Sequence, residues 1–100
     1  NVVGGVKLDE PAVDLAVAVS IASSLKNLPT QPGDVFVGEI GLTGEVRSIS
    51  RVEQRMKEAQ KLGFKRAILP AKNVEGWNPP VQMELIGVHS VEEALQAALG

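Results

Sequence analysis

Between residues 11 and 26 the apolar positions are almost continuous: Val13, Leu15, Val17, Val19, Ile21 and Leu25, with Ala12, Ala16, Ala18 and Ala22 between them. The run reads as a helix opened by Pro11, whose missing N–H is not needed in a first turn. Asp9, Glu10 and Asp14 stand near the positive end of its dipole. A helix apolar on all sides is expected to be buried between other elements. Ser20, Ser23 and Ser24 on such a helix are expected to bond back to helix carbonyls.

The remaining pattern alternates strands and helices. Residues 2–6 read as a strand broken by the Gly4-Gly5 pair, a bulge or a close backbone approach. Residues 28–33 are rich in Pro and Gly and form a loop. Residues 35–40 are a strand, Gly41-Leu42-Thr43-Gly44 a tight reversal, and residues 45–47 a return strand. Ser50-Arg51-Val52-Glu53 has the spacing of a capping box, with Glu53 reaching back to the cap. The helix it opens sets Val52, Met56, Ala59 and Leu62 on one face and ends at Gly63. Residues 67–69 are a buried strand stopped by Pro70, residues 72–80 a loop, and residues 83–88 another strand. Ser90-Val91-Glu92-Glu93 is a second capping box, opening a helix to Leu99. The fold class this predicts is α/β (α+β), a mixed sheet with helices packed on it.

Composition narrows the functions open to such a layer. The chain has 100 residues, enough for one modest core. It has no cysteine and one histidine, His89, so thiolate metal sites and disulfides are excluded and a zinc site is disfavoured. No apolar run is long enough to span a bilayer. The net charge of −2 conceals an uneven layout. Residues 47–66 hold Arg47, Arg51, Arg55, Lys57, Lys61, Lys65 and Arg66 against Glu53 and Glu58, a net of +5, and the rest of the chain carries −7. Clustered bases of this kind can neutralise phosphates without reading sequence. No aromatic residue is interleaved with them, which disfavours base stacking. The plain alternative is a solvated helix face, in which Glu53 and Lys57 form an ordinary i,i+4 pair. Trp77, in a Gly/Asn/Pro loop, is either a plug over the core edge or an anchor at a subunit contact.

Three stretches carry a resemblance. They are residues 4–15, from Gly4-Gly5-Val6-Lys7 to Val13-Asp14-Leu15; residues 38–47, Gly38-Glu39-Ile40-Gly41-Leu42-Thr43-Gly44-Glu45-Val46-Arg47; and residues 62–70, Leu62-Gly63-Phe64 to Leu69-Pro70. Together they resemble the C-terminal Lon-like domain of the RadA (Sms) family of bacterial DNA repair and recombination ATPases, over nearly the whole chain. The resemblance implies a Lon proteolytic-domain-like (ribosomal-protein domain-2-like) fold in a single domain over residues 1–100. An upstream, strand-rich portion of that domain would lie outside this chain. It also implies a cytoplasmic protein without membrane contact, a hexameric ring, non-specific DNA association and a RecA-like ATPase domain in the same protein. ATP and magnesium would belong to that domain, and no cofactor is expected here.

Lon-type proteases carry a serine in Gly-Pro-Ser-Ala-Gly and a lysine in a Gly-Gly-hydrophobic-Lys motif. These fall on Glu10-Pro11-Ala12-Val13-Asp14 and on Ser50-Arg51-Val52-Glu53. Ala12 has no hydroxyl and Glu53 no amine, so neither half of a Ser–Lys dyad is present. Asp14 could act as an acid, but a first-turn aspartate more commonly serves the helix dipole. The expectation is a non-catalytic scaffold that contributes to assembly and DNA contact in a branch-migration ATPase, whose motor lies in a separate domain. The alternatives are a residual Ser–Lys-type peptidase and an oligomerisation module that does not touch DNA.

Overall fold

A computed structural model describes residues 10–100 together with the backbone of β1 (Val2–Val3) and β2 (Val6–Lys7). These two strands pair antiparallel, Val2 with Lys7 and Val3 with Val6, so the single strand expected over residues 2–6 is a hairpin instead. The expected close approach at Gly4-Gly5 and the dipole role of Asp9 lie outside the described residues.

A 3-10 turn, Pro11–Val13, leads into α1 (Asp14–Lys26). Then follow β3 (Asp34–Phe36), β4 (Glu39–Ile40), β5 (Val46–Arg47), α2 (Val52–Lys61), β6 (Arg66–Pro70), α3 (Ala71–Val74), β7 (Glu84–Val88) and α4 (Val91–Leu99). The central sheet is three-stranded and parallel, in the order β3-β6-β7. Its register sets Asp34 beside Arg66 and Arg66 beside Glu84. A parallel sheet needs cover on both faces, and successive residues of β6 supply it. Ile68 points into a cluster with Leu15, Val19, Val46, Val88, Ala94 and Ala98, beneath α1 and α4. Ala67 and Leu69 point the other way, to Met56 of α2, with Val74, Trp77, Val81 and Leu85 packed around them.

The strand expected over residues 35–40 is two strands in two sheets. The chain leaves the parallel sheet after Phe36, and β4 pairs antiparallel with β5. Gly38 is the joint. Its N–H donates to the Ala12 carbonyl at 2.9 Å, and its own carbonyl accepts from the Leu15 N–H at 3.0 Å. A Cβ there would sit 2.9 Å from a methyl of Val46, so a side chain at this joint would push against β5.

Several further expectations are corrected. α1 is not buried on all sides: Leu15 and Val19 are buried, but Val17, Ile21 and Leu25 face outward. The capping box at Ser50 does not form. Helix α2 starts one residue later, after Arg51 in the left-handed region (φ 60°), with no side-chain cap. Leu62, expected on the buried face of α2, is 70% exposed, because the helix ends before it and Gly63 turns the chain away at φ 99°. Residues 72–80 are not wholly a loop, since α3 follows Pro70 directly. The second capping box forms in part. Ser90 Oγ accepts from the Glu93 N–H at 3.2 Å, while the Glu93 carboxylate accepts from the N–H of His89, one residue before the cap. Ser23 bonds forward, its hydroxyl donating to the Leu28 carbonyl at 2.5 Å, beyond a helix end closed by left-handed Asn27.

Candidate functional site

The turn at Ala12 is held from several sides. Pro11 fixes its start, Gly38 bonds it through the backbone, and Asp14 Oδ2 accepts from the Ile40 N–H at 3.0 Å. Asp14 therefore ties α1 to β4. Beside the turn lies a pocket of about 310 Å³, lined by Glu10, Pro11, Ala12, Glu39, Ser48, Ile49, Ser50 and Arg55. Its far wall is pinned by Asn73, whose side-chain amide accepts from the Ile49 N–H (2.8 Å) and donates to the Ile49 carbonyl (3.0 Å).

Ala12 contributes only a methyl group to this pocket. Glu53 does not line it: it is exposed on α2 and pairs with Lys57 Nζ at 3.1 Å. The two positions of the absent dyad are therefore not brought to one pocket. Ser48 and Ser50 supply hydroxyls, but among the described residues no lysine or histidine lines the pocket with them. Glu10 is bound to the Arg55 guanidinium, so that carboxylate is already engaged as an acceptor. Among the described residues no group of three or more His, Asp or Glu is placed to hold a metal ion.

The seven bases are sorted by structure into engaged and open. Arg47 pairs with Glu45 at 3.2 Å and reaches Glu39 at 3.9 Å. Arg55 donates to the Ser50 carbonyl at 2.9 Å and bonds Glu10, so it folds back over the start of α2. Lys57 holds Glu53. Arg66 makes a two-pronged bond to Asp34, at 2.8 and 2.6 Å, and donates to the Ala97 carbonyl at 3.1 Å. The Asp34 side chain is 3% exposed, and its hydrogen bond raises the Arg66 pKa above the ordinary guanidinium value. This pair sits in the wall of an open groove of about 570 Å³ at the start of the sheet. Arg51, Lys61 and Lys65 are exposed and make no ion pair among the described residues; Arg51 donates to Gln54 at 2.5 Å. Arg51 and Arg55, four residues apart, do not lie on one helix together, because Arg51 precedes α2 in a left-handed conformation. Trp77 is half-buried against the cluster around Leu69.

Sequence reasoning missed Asp34, Asn73 and the Glu10–Arg55 pair. Their partners lie 32, 24 and 45 residues away along the chain, and no local pattern announces a bond of that span.

The reversal at residues 41–44 is locked by Glu45. Its Oε1 accepts from the Thr43 N–H (3.0 Å) and hydroxyl (2.6 Å). The Thr43 hydroxyl is the largest influence lowering the carboxyl from 4.5 to about 2, followed by backbone N–H groups, with Arg47 weaker. The folded value lies below the unfolded one. The contribution is therefore complete above about pH 4.5 and is lost as pH falls toward 2. Amide exchange at Thr43 and Gly44 is expected to show this step, and Glu45→Gln is expected to abolish it. An identical pH profile in the variant would refute the lock.

Against known proteins, residues 4–73 match the family described as subunit ChlI of Mg-chelatase. That description differs from the Lon-like domain that the motifs resemble. The chain is 63% identical over 100 residues to DNA repair protein RadA of Bacillus subtilis (strain 168), covering all of this chain and 22% of that protein. It is 57% identical over 96 residues to the protein of the same name from Listeria monocytogenes (96% of this chain, 21% of that one). Over 93 residues it is 55% identical to that of Streptococcus pneumoniae (93% and 22%). The chain thus spans about a fifth of the length of these relatives.

Proposed function

We propose that this chain, which belongs to the family described as subunit ChlI of Mg-chelatase, is a non-catalytic, Lon-like scaffold domain of a cytoplasmic DNA repair ATPase. It supplies self-association, as part of a hexameric ring, and a sequence-independent contact to DNA. The observation that carries this reading is identity of 55–63%, over 93% or more of the chain, to relatives named DNA repair protein RadA. The pocket beside Ala12 supports the non-catalytic part, since among the described residues it sets two serines beside neither a lysine nor a histidine. ATP, magnesium and branch migration belong to a RecA-like domain elsewhere in the protein. A peptide-cleavage assay is expected to detect no turnover; turnover lost on Ser48→Ala or Ser50→Ala would establish the residual peptidase instead.

A second reading, an assembly module without DNA contact, is favoured by one observation: four of the seven bases are already paired with acids. The open bases decide between the two. Replacing Arg51, Lys61 and Lys65 together by Glu is expected to weaken binding to labelled DNA by roughly tenfold or more. The slope of log K against log salt should fall by about 0.9 for each phosphate the variant no longer neutralises. Unchanged affinity and slope, read by anisotropy across a salt titration, would leave the assembly reading standing and remove the DNA contact.

A further inference from the structure

The open bases fall at two ends of the sheet. Arg51 stands before α2, and Lys61 and Lys65 lead from its last turn into the start of β6. At that start Lys65 lines the groove with Asp34, Glu84 and the last residues of α4. Asp34 is held by Arg66, but Glu84 is exposed and makes no ion pair among the described residues. The end of α4 adds the negative pole of a helix dipole, and Lys61 sits at the same pole of α2. A phosphate that approaches Lys61 or Lys65 meets this negative field.

The other end of the sheet is different. Pro70 ends β6 and α3 begins at once, so Lys72 and Asn73 stand where the strand finishes. Asn73 grips Ile49 by both its N–H and its carbonyl, at 2.8 and 3.0 Å. Lys72 precedes Asn73 by one residue, and Arg51 follows Ile49 by two. A Cα step is about 3.8 Å, so three steps and the clamp keep the Lys72 and Arg51 Cα atoms within about 20 Å. Both side chains are exposed and form no ion pair among the described residues, and Ser50 adds an exposed hydroxyl between Ile49 and Arg51. The nearby acids are occupied. Glu10 is bound by Arg55, Glu53 by Lys57, and Glu39 is faced by Arg47. Glu75, three residues after Lys72, makes no ion pair with it.

We infer that Arg51 and Lys72 form one phosphate-binding pair for the DNA backbone, gathered by Asn73. A DNA strand presents a phosphate about every 3.4 Å along the axis, so both cations can stand over one short run of it. Hydroxyls and cations together are the usual partners of phosphate oxygens. Lys72 lies outside the basic stretch of residues 47–66 and joins it only through the fold. The inference rests on the DNA part of the proposed function and narrows the contact to the finishing ends of the strands.

The test is the anisotropy of labelled duplex DNA with the whole chain, across a salt titration. Lys72→Gln is expected to weaken binding about fivefold and to lower the slope of log K against log salt by about 0.9. Its melting temperature is expected to stay in place, because the residue is exposed. Arg51→Gln is expected to weaken binding in the same way. Lys61→Gln combined with Lys65→Gln is expected to change affinity by less than about twofold. Asn73→Ala removes no charge. It is expected to weaken binding about threefold in the parent chain and to add little once Lys72→Gln is present, as for residues that act together. Equal losses in both backgrounds would show general loosening and overturn the gathered pair. Unchanged affinity and slope in Lys72→Gln, with binding still lost when Arg51, Lys61 and Lys65 are replaced together, would overturn the pair and leave the DNA reading intact. A larger loss from the Lys61 and Lys65 variant than from Lys72→Gln would move the contact to the other end of the sheet and overturn the pair too. A parent chain that binds no DNA would overturn both.

Discussion

Asp34→Ala is expected to lower stability by about 3 kcal/mol, because it removes the nearly buried carboxylate that holds the half-buried Arg66 guanidinium by two charge-assisted hydrogen bonds. Arg66 keeps only the Ala97 carbonyl and must find water in the groove at the start of the sheet. For a domain of this size that is a fall in melting temperature of about 15 °C, large against a total stability of about 5–15 kcal/mol. The pair also fixes register, since Asp34 and Arg66 are opposed at the first rung between β3 and β6. The companion variant separates loss of the pair from loss of the site. Asp34→Ala combined with Arg66→Met leaves no orphaned charge and is expected to recover most of the loss. A single variant melting within about 1 °C of the parent chain would show that the pair contributes little.

Leu69→Ala is expected to cost about 3 kcal/mol, from lost burial and the cavity left in the wall against α2 and α3. Leu69 is wholly buried and shares its cluster with Met56 and the half-buried Trp77. Trp77 is the sole tryptophan of the chain, so its emission reports on this side alone. Leu69→Ala should shift that emission to the red. Ile68→Ala, one residue away but on the opposite face, should cost a similar amount and leave the emission in place. Identical spectral responses would mean that the two clusters behave as one.

The elements legible in the sequence are those whose cause is local. The Val52, Met56, Ala59 spacing predicts the buried face of α2. Gly63 marks its end and Ser90 the start of α4. Residues 67–69 read as a buried strand, and β6 is the centre of the sheet. The failures also have causes. Ser50 and Glu53 have the right spacing for a capping box, but Arg51 turns left-handed, and Glu53 is drawn instead to Lys57. A run of apolar residues reads as a strand through Gly38, yet the backbone there turns aside to bond Ala12 and Leu15. In α1 the apolar pattern overstates burial, because an apolar side chain records a contact without saying whether the partner lies in the same hundred residues. The basic stretch is visible as a count, and its pairing is not, since Asp34 and Glu10 reach it from distant parts of the chain.

The β4–β5 hairpin reaches beyond its own two strands. The Gly44 carbonyl accepts from the Val91 N–H at 3.0 Å, and the Val46 N–H donates to the His89 carbonyl at 2.8 Å. The first amide of α4, left without a partner inside its own helix, is therefore satisfied by the tip of a hairpin more than forty residues earlier. The tip and the start of α4 must open together, as one cooperative unit. A proton taken up at Glu45 on the surface thus loosens a helix terminus that contains no titrating partner of Glu45, and local acid sensitivity becomes a property of two separate stretches of chain.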